Sequence, residues 1–260
     1  MARVISVVNQ KGGVGKTTSA VNIGAYLASM GRFVLLVDMD PQGNASSGIG
    51  VKTEEGQSTI YDSLVGNSSI RNCIVETKHV GYRVAPANSN LSGANVELIN
   101  YDNREFRLAQ ALLEVRNDYD YILIDCPPSL GLLTINGLVA ADEILIPIQA
   151  EYYALEGVGN LLRTIELVRE NLKPSLEILG AFLTMFDQRN RLSSAVFNEL
   201  YQFFPNKIFR SVIPRSVRVA EAPSFGKSLL AYEPNNRAAK AYEKLAKEII
   251  DTEKAGLRRM

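Results

Sequence analysis

The chain is poor in the residues that build many catalytic and metal sites. Its 260 residues include no tryptophan, one histidine, His79, and two cysteines, Cys73 and Cys126. A single histidine excludes histidine-rich metal centres and argues against most histidine-based acid–base catalysis. Two distant cysteines without a CxxC pair offer no framework for zinc or an iron–sulfur cluster, and they are typical of a reducing compartment.

Long apolar runs and net charge are absent as well. Apolar runs such as residues 121–124 and 144–148 are too short to cross a bilayer, and the N-terminus lacks the layout of a signal peptide. We therefore expect a cytoplasmic protein. The formal net charge is zero, so the overall charge points to neither a nucleic acid nor a membrane.

Short apolar runs alternate with helical patterns along the whole chain. This alternation predicts an α/β fold with a doubly wound, mostly parallel sheet and helices on both faces. The length suits a single domain spanning residues 1–260. The predicted strands are residues 4–8, 33–37, 82–85, 121–125, 143–147, 177–183 and 207–209, and the predicted helices are residues 17–30, 60–65, 103–116, 155–171 and 192–203, with a last helix from about Asn235.

Residues 9–18, NQKGGVGKTT, form a glycine-rich loop between the first predicted strand and the first predicted helix. Its glycines allow positive φ angles and bring backbone N–H groups against phosphate oxygens at a helix N-terminus. Lys16 is expected to neutralise the β and γ phosphates of ATP, and the Thr17 hydroxyl to bind Mg²⁺. The predicted nucleotide-binding residues of this loop are Lys11, Gly12, Gly13, Val14, Gly15, Lys16, Thr17 and Thr18.

The loop departs from the usual phosphate-binding pattern GxxxxGK[ST]. Gln10 stands at the position of the first glycine, and a second lysine, Lys11, follows it. Lys11 lies too close to Lys16 for both to serve the same phosphate comfortably. We interpret Lys11 as directed at the nucleotide of a neighbouring copy.

Carboxylates end two further apolar strands. Residues 34–42, VLLVDMDPQ, place Asp38 and Asp40 at a strand end, and residues 121–128, YILIDCPP, place Asp125 at another. In an open α/β sheet, ligands bind at the carboxyl ends of the strands, so these acids are expected to face the nucleotide. Asp125 has the Walker B form, which holds Mg²⁺ through a water.

The three motifs together resemble those of the ParA/Soj partition ATPases, members of the deviant Walker A (ParA/MinD) family. The likeness runs through nearly the whole chain and includes residues 38–44, 125–134, 151–157 and 213–215. It implies a homodimer that encloses ATP, with Lys11 crossing to the partner's phosphates. It also implies slow hydrolysis, stimulated by a ParB-like centromere-binding protein.

The resemblance further assigns roles to single residues. Asp40 would position or polarise the attacking water, and Asp38 would orient a magnesium-bound water. Gly12 would permit close approach of two subunits, and Pro214 and Arg215 would lie beside the nucleotide base. The catalytic residues are then Lys11, Lys16 and Asp40, and the metal-site residues are Thr17, Asp38 and Asp125.

The region 185–230 is rich in positive charge, with seven basic and three acidic residues. If two copies face the same way in a dimer, such a surface could bind nonspecific double-stranded DNA with an affinity that falls steeply with salt. The alternative is an ordinary solvated surface, since arginines on exposed loops and helices are common. By resemblance, the DNA-binding residues are Arg189, Arg218 and Lys227, and the nucleoid-associated protein drives chromosome or plasmid segregation. The loop begins by residue 11, so we expect no N-terminal helix–turn–helix domain.

Other classes of protein use the same loop. A MinD-like ATPase ends in a membrane-binding helix, but residues 254–260 lack the bulky apolar face that interfacial binding requires, so no stable membrane association is expected. A reductase of the nitrogenase type needs cluster cysteines that the chain lacks. A carboxylate-activating ligase needs a substrate site, for which the sequence shows no additional constellation.

Overall fold

A computed structural model describes residues 1–151, 154–187, 189 and 199–257, without the side chains of 154–156 and 254–257. Its described part contains a seven-stranded sheet in the order β3-β4-β2-β5-β1-β6-β7. Every pairing is parallel except that of β3 with β4. The strands are β1 Arg3–Val7, β2 Val34–Asp38, β3 Val75–Glu76, β4 Tyr82–Ala85, β5 Tyr121–Asp125, β6 Glu143–Gln149 and β7 Glu177–Thr184.

Helices connect these strands and cover both faces of the sheet. They are α1 Lys16–Ser29, α2 Asn44–Gly48, α3 Ile60–Val65, α4 Ile70–Cys73, α5 Leu91–Glu97, α6 Arg107–Leu113, α7 Leu132–Ala140 and α8 Ala154–Asn171, followed by Val217–Glu221, Leu229–Tyr232 and the C-terminal helix Arg237–Leu257. Short 3₁₀ turns lie at Leu98–Asn100, Arg104–Phe106 and Ala222–Phe225. None of the described helices is long and apolar enough to cross a membrane.

The core consists of two apolar layers on opposite faces of the sheet. Successive side chains of a strand point to opposite faces, so Val4 lies in one layer and Ile5 in the other. The layer with Val4 includes Leu138 of α7, whereas the layer with Ile5 includes Ile23 of α1 and Leu245 of the C-terminal helix. This arrangement confirms the predicted doubly wound fold.

The predicted strand at residues 207–209 is wrong. Only Ile208 forms a bridge, with Ala181 of β7, and the segment forms no continuous strand. It approaches β7 over Gly180, where a Cβ would lie 2.8 Å from the Lys207 carbonyl oxygen. A short apolar run is compatible both with an edge strand and with a segment that forms a single β-bridge, so the sequence pattern could not distinguish them.

The helix predicted at residues 103–116 is a 3₁₀ turn, Arg104–Phe106, followed by α6, Arg107–Leu113. The helix predicted at residues 192–203 lies mainly outside the described residues, although residues 199–203 are helical. The small strand β3 and the helix α2 lie in segments that we did not assign to regular structure.

Candidate nucleotide site

The sheet order brings the three predicted motifs to one edge. Strands β2, β5 and β1 are neighbours, and Asp38 is paired directly with Asp125 at the carboxyl ends of β2 and β5. Val7, the last residue of β1, is paired with the same Asp125. The glycine-rich loop that follows β1 therefore begins beside both carboxylates.

The loop adopts the backbone that its glycines permit. Gly13 and Gly15 have φ angles of +73° and +89°, in the left-handed region that favours glycine. Gly15 is the N-cap of α1, and the first turn of that helix contains no acidic residue. The free N–H groups at this helix end favour an anion, as a phosphate site requires.

Two hydrogen bonds anchor the loop to the sheet, and a third braces the loop internally. The Asn9 side chain donates to the Pro147 carbonyl oxygen at 2.8 Å and accepts from the Lys11 backbone N–H at 3.0 Å. On the other side of the loop, the Thr184 hydroxyl donates to the Val14 carbonyl oxygen at 2.8 Å. The backbone of the loop is thus fixed to the ends of β6 and β7.

Lys16 lies under the loop. Its side chain is buried, and its ammonium group donates to the Lys11 carbonyl oxygen at 3.0 Å. Burial lowers the pKa of Lys16, while the charges of Asp125 and Asp40 act in the opposite direction. The Lys16 ammonium therefore lies close enough to the carboxylates of Asp125 and Asp40 to interact with their charges.

The remaining predicted loop residues lie at the surface or are half-buried, except Val14, which is buried. Gly12 and Gly13 are exposed, and no heavy atom lies within 4 Å of the position that a Cβ of Gly12 would occupy. Thr17 and Thr18 are half-buried in the first turn of α1. The loop is therefore open on the side of Gly12.

Asp125 is a buried carboxylate to which no described residue donates a hydrogen bond of good geometry, although the Thr17 hydroxyl lies near it. It is fully buried, and neither carboxylate oxygen has a partner among the described residues. Burial and the nearby charge of Asp38 raise the pKa of Asp125 well above its usual value, with Thr17 and Lys16 close enough to oppose that shift. An unsatisfied buried carboxylate is costly unless something binds it.

Asp38 is held more firmly. Its carboxylate accepts hydrogen bonds from the Ser46 backbone and hydroxyl at 2.8 and 2.7 Å, and from the Asp40 backbone at 3.2 Å. Burial nevertheless raises the pKa of Asp38 to about 6. The oxygens of Thr17, Asp38 and Asp125 are the hard donors that Mg²⁺ prefers, and the orphaned carboxylate of Asp125 fits a bound cation or its water.

Asp40 lies beyond the buried part of β2. It is half-buried, and its carboxylate accepts from the Gln42 backbone at 3.0 Å. Its partial exposure leaves the carboxylate accessible to a ligand at this edge of the sheet.

Two predicted residues from distant segments meet at a third residue, Glu151. The Lys11 ammonium lies 3.4 Å from one oxygen of Glu151, and the Arg215 guanidinium lies 3.8 Å from the other. Pro214 is half-buried and forms a bridge with Phe186, which brings its segment to the end of β7. Glu151 is not among the predicted site residues, although an acid just after β6 is the same signal that identified Asp38 and Asp125.

A basic groove adjoins this site. Its volume is about 1270 Å³, and it lies between the C-terminal helix and the segments around residues 186–189 and 210–216. The basic residues that line the groove are Arg189, Arg210, Arg215, Arg237, Lys240, Lys244 and Lys247, and the acidic residues are Asp187, Glu248 and Asp251. Four of the cations recur at helical spacing along one face of the C-terminal helix.

The predicted DNA-binding residues divide between the groove and other surfaces. Arg189 lines the groove but forms a two-point ion pair with Asp187, which lowers the pKa of Asp187 to about 2. Arg218 is paired with Glu221 and Glu233, at 2.8 and 2.9 Å. Arg218 and the exposed Lys227 are not among the residues that line the groove.

The groove also contains cations that we did not predict. Arg210, Arg237, Lys240 and Lys244 form no ion pair with any residue that the structure describes. Their charge is therefore available to an anion. The spacing of residues 237, 240 and 244 could have revealed this stripe, because such residues share one helix face.

Comparison with known proteins independently supports the resemblance to the partition ATPases. Residues 2–178 match the family model described as "AAA domain". The chain is 49% identical over 262 residues to the chromosome partitioning protein ParA of Myxococcus xanthus, which covers 100% of this chain and 93% of the relative. It is 50% identical over 249 residues to the sporulation initiation inhibitor protein Soj of Bacillus subtilis, covering 96% of this chain and 98% of the relative.

A solved structure is similar over almost the same length. The structure of cobyrinic acid a,c-diamide synthase from Mycobacterium smegmatis, with bound ADP and magnesium, has a TM-score of 0.87 and 37% identity. It covers 98% of this chain and 97% of that protein. Together with the identity to the two partition proteins over nearly full length, these findings confirm the resemblance in the motifs: the chain belongs to the ParA/Soj family of ATPases.

Proposed function

We propose that this protein is an ATP-dependent dimerising switch that acts in chromosome or plasmid partitioning. The observation that carries the proposal is the meeting of the glycine-rich loop with the orphaned carboxylate of Asp125 at one sheet edge. The assignment to partitioning is supported by the names of relatives that share about half of its residues.

The chemistry of the site suits hydrolysis of a phosphoanhydride. Phosphoryl transfer needs neutralised charge and a water in line with the leaving group, more than covalent catalysis. The loop N–H groups and Lys16 would hold the phosphates, while Thr17, Asp38 and Asp125 would hold Mg²⁺ and its waters. Bound Mg²⁺ would supply neutralisation of the phosphate charge. Asp40 would orient the attacking water.

Lys11 supplies the reason for a dimer. Lys16 already occupies the inside of the loop, whereas the Lys11 side chain extends to Glu151 and is about a third exposed. Lys11 can therefore reach a nucleotide held by a second copy across the open side of the loop at Gly12. ATP would then bind between two subunits, and its hydrolysis would release them, with slow turnover accelerated by a ParB-like partner.

The basic groove supports nonspecific binding to duplex DNA. Its cations along the C-terminal helix lie on one face, and three of them form no ion pair with any described residue. A row of cations can neutralise successive phosphates of a backbone. Arg189 would contribute to DNA binding if its guanidinium left the Asp187 carboxylate and bound a DNA phosphate instead. Arg218 and Lys227 stay in the proposal as cations outside the groove. DNA binding in the ATP state would place the protein on the nucleoid.

A ligase that activates a carboxylic acid with ATP is the second candidate. The similarity to a diamide synthase structure favours it, at lower identity than the partition proteins show. Turnover of ATP by the purified chain without any carboxylic acid substrate would support the switch. Turnover that requires a carboxylic acid would support the ligase.

Light scattering of an Asp40→Ala variant tests the proposed switch. Loss of the water-orienting carboxylate should stop hydrolysis, so the variant should accumulate as a dimer in ATP and stay monomeric in ADP. Asp102→Ala, at an exposed acid far along the sequence, is the control and should behave like the unchanged protein. An Asp40→Ala variant that stays monomeric in ATP would contradict the proposal.

A further inference from the structure

Glu151 lies between two cations that the proposed site needs for other contacts. Its two carboxylate oxygens face Lys11 and Arg215 respectively, at 3.4 and 3.8 Å. The Gln149 side chain donates to one of these oxygens at 2.6 Å, and the Glu151 backbone N–H donates to the Gln149 carbonyl oxygen at 2.8 Å. The carboxylate is thus held in place at the end of β6.

The backbone of Lys11 is held at the same strand end. Asn9 accepts from the Lys11 backbone N–H and donates to Pro147 of β6. The Lys11 backbone, through Asn9 and Pro147, and the Glu151 carboxylate, through Gln149, are therefore both held by β6, and the ammonium can leave the carboxylate through side-chain rotation alone. Because the Lys11 side chain is 35% exposed, that rotation needs no opening of the core.

We propose that Glu151 is a positioning residue that holds Lys11 against its own subunit until an ATP-loaded partner arrives. The inference rests on the proposed function, because it requires Lys11 to reach the partner's nucleotide. In the single chain, the Glu151 carboxylate satisfies the Lys11 charge. In the dimer, phosphate oxygens of the partner's nucleotide replace it, and Glu151 keeps Arg215.

This exchange sets a threshold for dimer formation. A half-exposed ion pair shifts an equilibrium by at most about fivefold. Two Lys11 side chains must leave their carboxylates in each dimer, so the effects multiply to at most about 25-fold. The contact would keep ATP-loaded chains apart at low concentration without preventing their dimerisation at high concentration.

The test is the dimerisation midpoint of a Glu151→Gln variant, measured by light scattering with a non-hydrolysable ATP analogue. Glutamine retains the size and loses the charge, so the midpoint protein concentration should fall by about 2- to 25-fold. Glu151→Asp retains the charge and should stay nearer the unchanged protein. Glu166→Gln is the matched control, because it removes a similarly exposed carboxylate from α8 and should leave the midpoint unchanged.

Salt separates this positioning role from a structural one. Because salt screens exposed charges, the difference between Glu151→Gln and the unchanged protein should shrink as ionic strength rises. A midpoint in Glu151→Gln that equals or exceeds that of the unchanged protein would overturn the inference alone. Failure of the unchanged protein to dimerise with the analogue would overturn the proposed function and the inference with it.

Discussion

At the scale of single residues, the buried carboxylate of Asp125 lowers the stability of the folded protein when no ligand is bound. It is fully buried, and its oxygens have no partner among the described residues. Asp38, paired with it across two strands, adds a second buried acid. Two buried acids side by side destabilise the ligand-free protein, and binding of a cation would offset this destabilisation.

Asp125→Asn should therefore stabilise the nucleotide-free protein. Removal of the buried charge should raise the free energy of unfolding by about 1–3 kcal/mol at pH 8. Hydrolysis of ATP should be lost in the same variant. Thermal unfolding without nucleotide measures the first effect, and Asp102→Asn at an exposed site should leave the unfolding temperature unchanged.

The stabilisation by Asp125→Asn should depend on pH. The pKa of Asp38 is raised to about 6 from 3.8, and that of Asp125 is raised well above its usual value. Between pH 4 and 6 the native protein binds more protons than the unfolded chain, so its stability falls as the pH rises through this window. The advantage of Asp125→Asn should be smaller at pH 5 than at pH 8, because the pKa of the native Asp125 carboxyl is raised. An advantage independent of pH would show that charge burial is not its cause.

Lys11→Ala tests the other end of the site. The variant should still bind ATP, because Lys16 and the loop backbone remain, but it should lose most of its hydrolysis. Equilibrium binding of a fluorescent ATP analogue and phosphate release report the two steps separately. Unchanged turnover would refute the role of Lys11 in the partner's site.

Single residues were predictable from sequence where their chemistry dictates a motif. Lys16, Thr17 and Asp125 were predicted from phosphate and magnesium chemistry, and they lie close together at one sheet edge. Glu151 carries the same signal of an acid at a strand end, but its pairing was not predictable, because its partners Lys11 and Arg215 lie far away in sequence. Only the folded chain shows that one carboxylate faces both cations.

At the scale of elements, α7 packs on the strand that carries Asp125. Gly137 of α7 approaches Cys126 so closely that a Cβ would lie 2.6 Å from the Cys126 sulfur. This contact fixes the segment just after the Walker B strand. The small residue and the buried thiol are thus a matched pair.

Gly137→Ala should lower the free energy of unfolding by about 1–3 kcal/mol through overpacking. Adding Cys126→Ala should recover much of this loss, because it removes the sulfur that the new methyl group meets. The matched control is Gly159→Ala in α8, which has open space and should stabilise by about 0.5–1 kcal/mol. Strict additivity of the two substitutions in chemical denaturation would contradict the proposed contact.

Elements were predictable where the apolar pattern is unambiguous. The bounds of β4, β5 and α3 agree with those expected from sequence. Residues 207–209 show the limit, since a short apolar run suits both a strand and a single bridge. The two-residue β3 carries too little pattern to be recognised, because it depends on pairing with β4.

At the scale of the whole molecule, the charges are unevenly distributed, although they sum to zero. The net charge is zero, yet seven cations and three acids line one groove. Sequence pointed to the region 185–230 but missed the stripe on the C-terminal helix, whose lysines also suit an ordinary solvated face. Because that helix packs beside residues 210–216, its basic residues line one groove together with Arg210 and Arg215.

Lys240→Ala with Lys244→Ala should weaken DNA binding and leave ATP-driven dimerisation intact. Losing two phosphate contacts should make the salt dependence of the binding constant shallower by about two in logarithmic slope. The control pair is Lys52→Ala with Lys78→Ala, two exposed lysines outside the groove. Equal loss in the two pairs, measured by fluorescence anisotropy, would show that the groove has no special role.

The most direct test of the whole account is binding of the unchanged protein to a random-sequence DNA duplex, with ATP and with ADP, across a salt titration. We expect retention that requires ATP and falls steeply as salt rises, because dimerisation would bring two basic grooves to one duplex. ATP-bound dimers that ignore DNA at every salt concentration would contradict it. In that case, vesicle binding would test the MinD-like alternative.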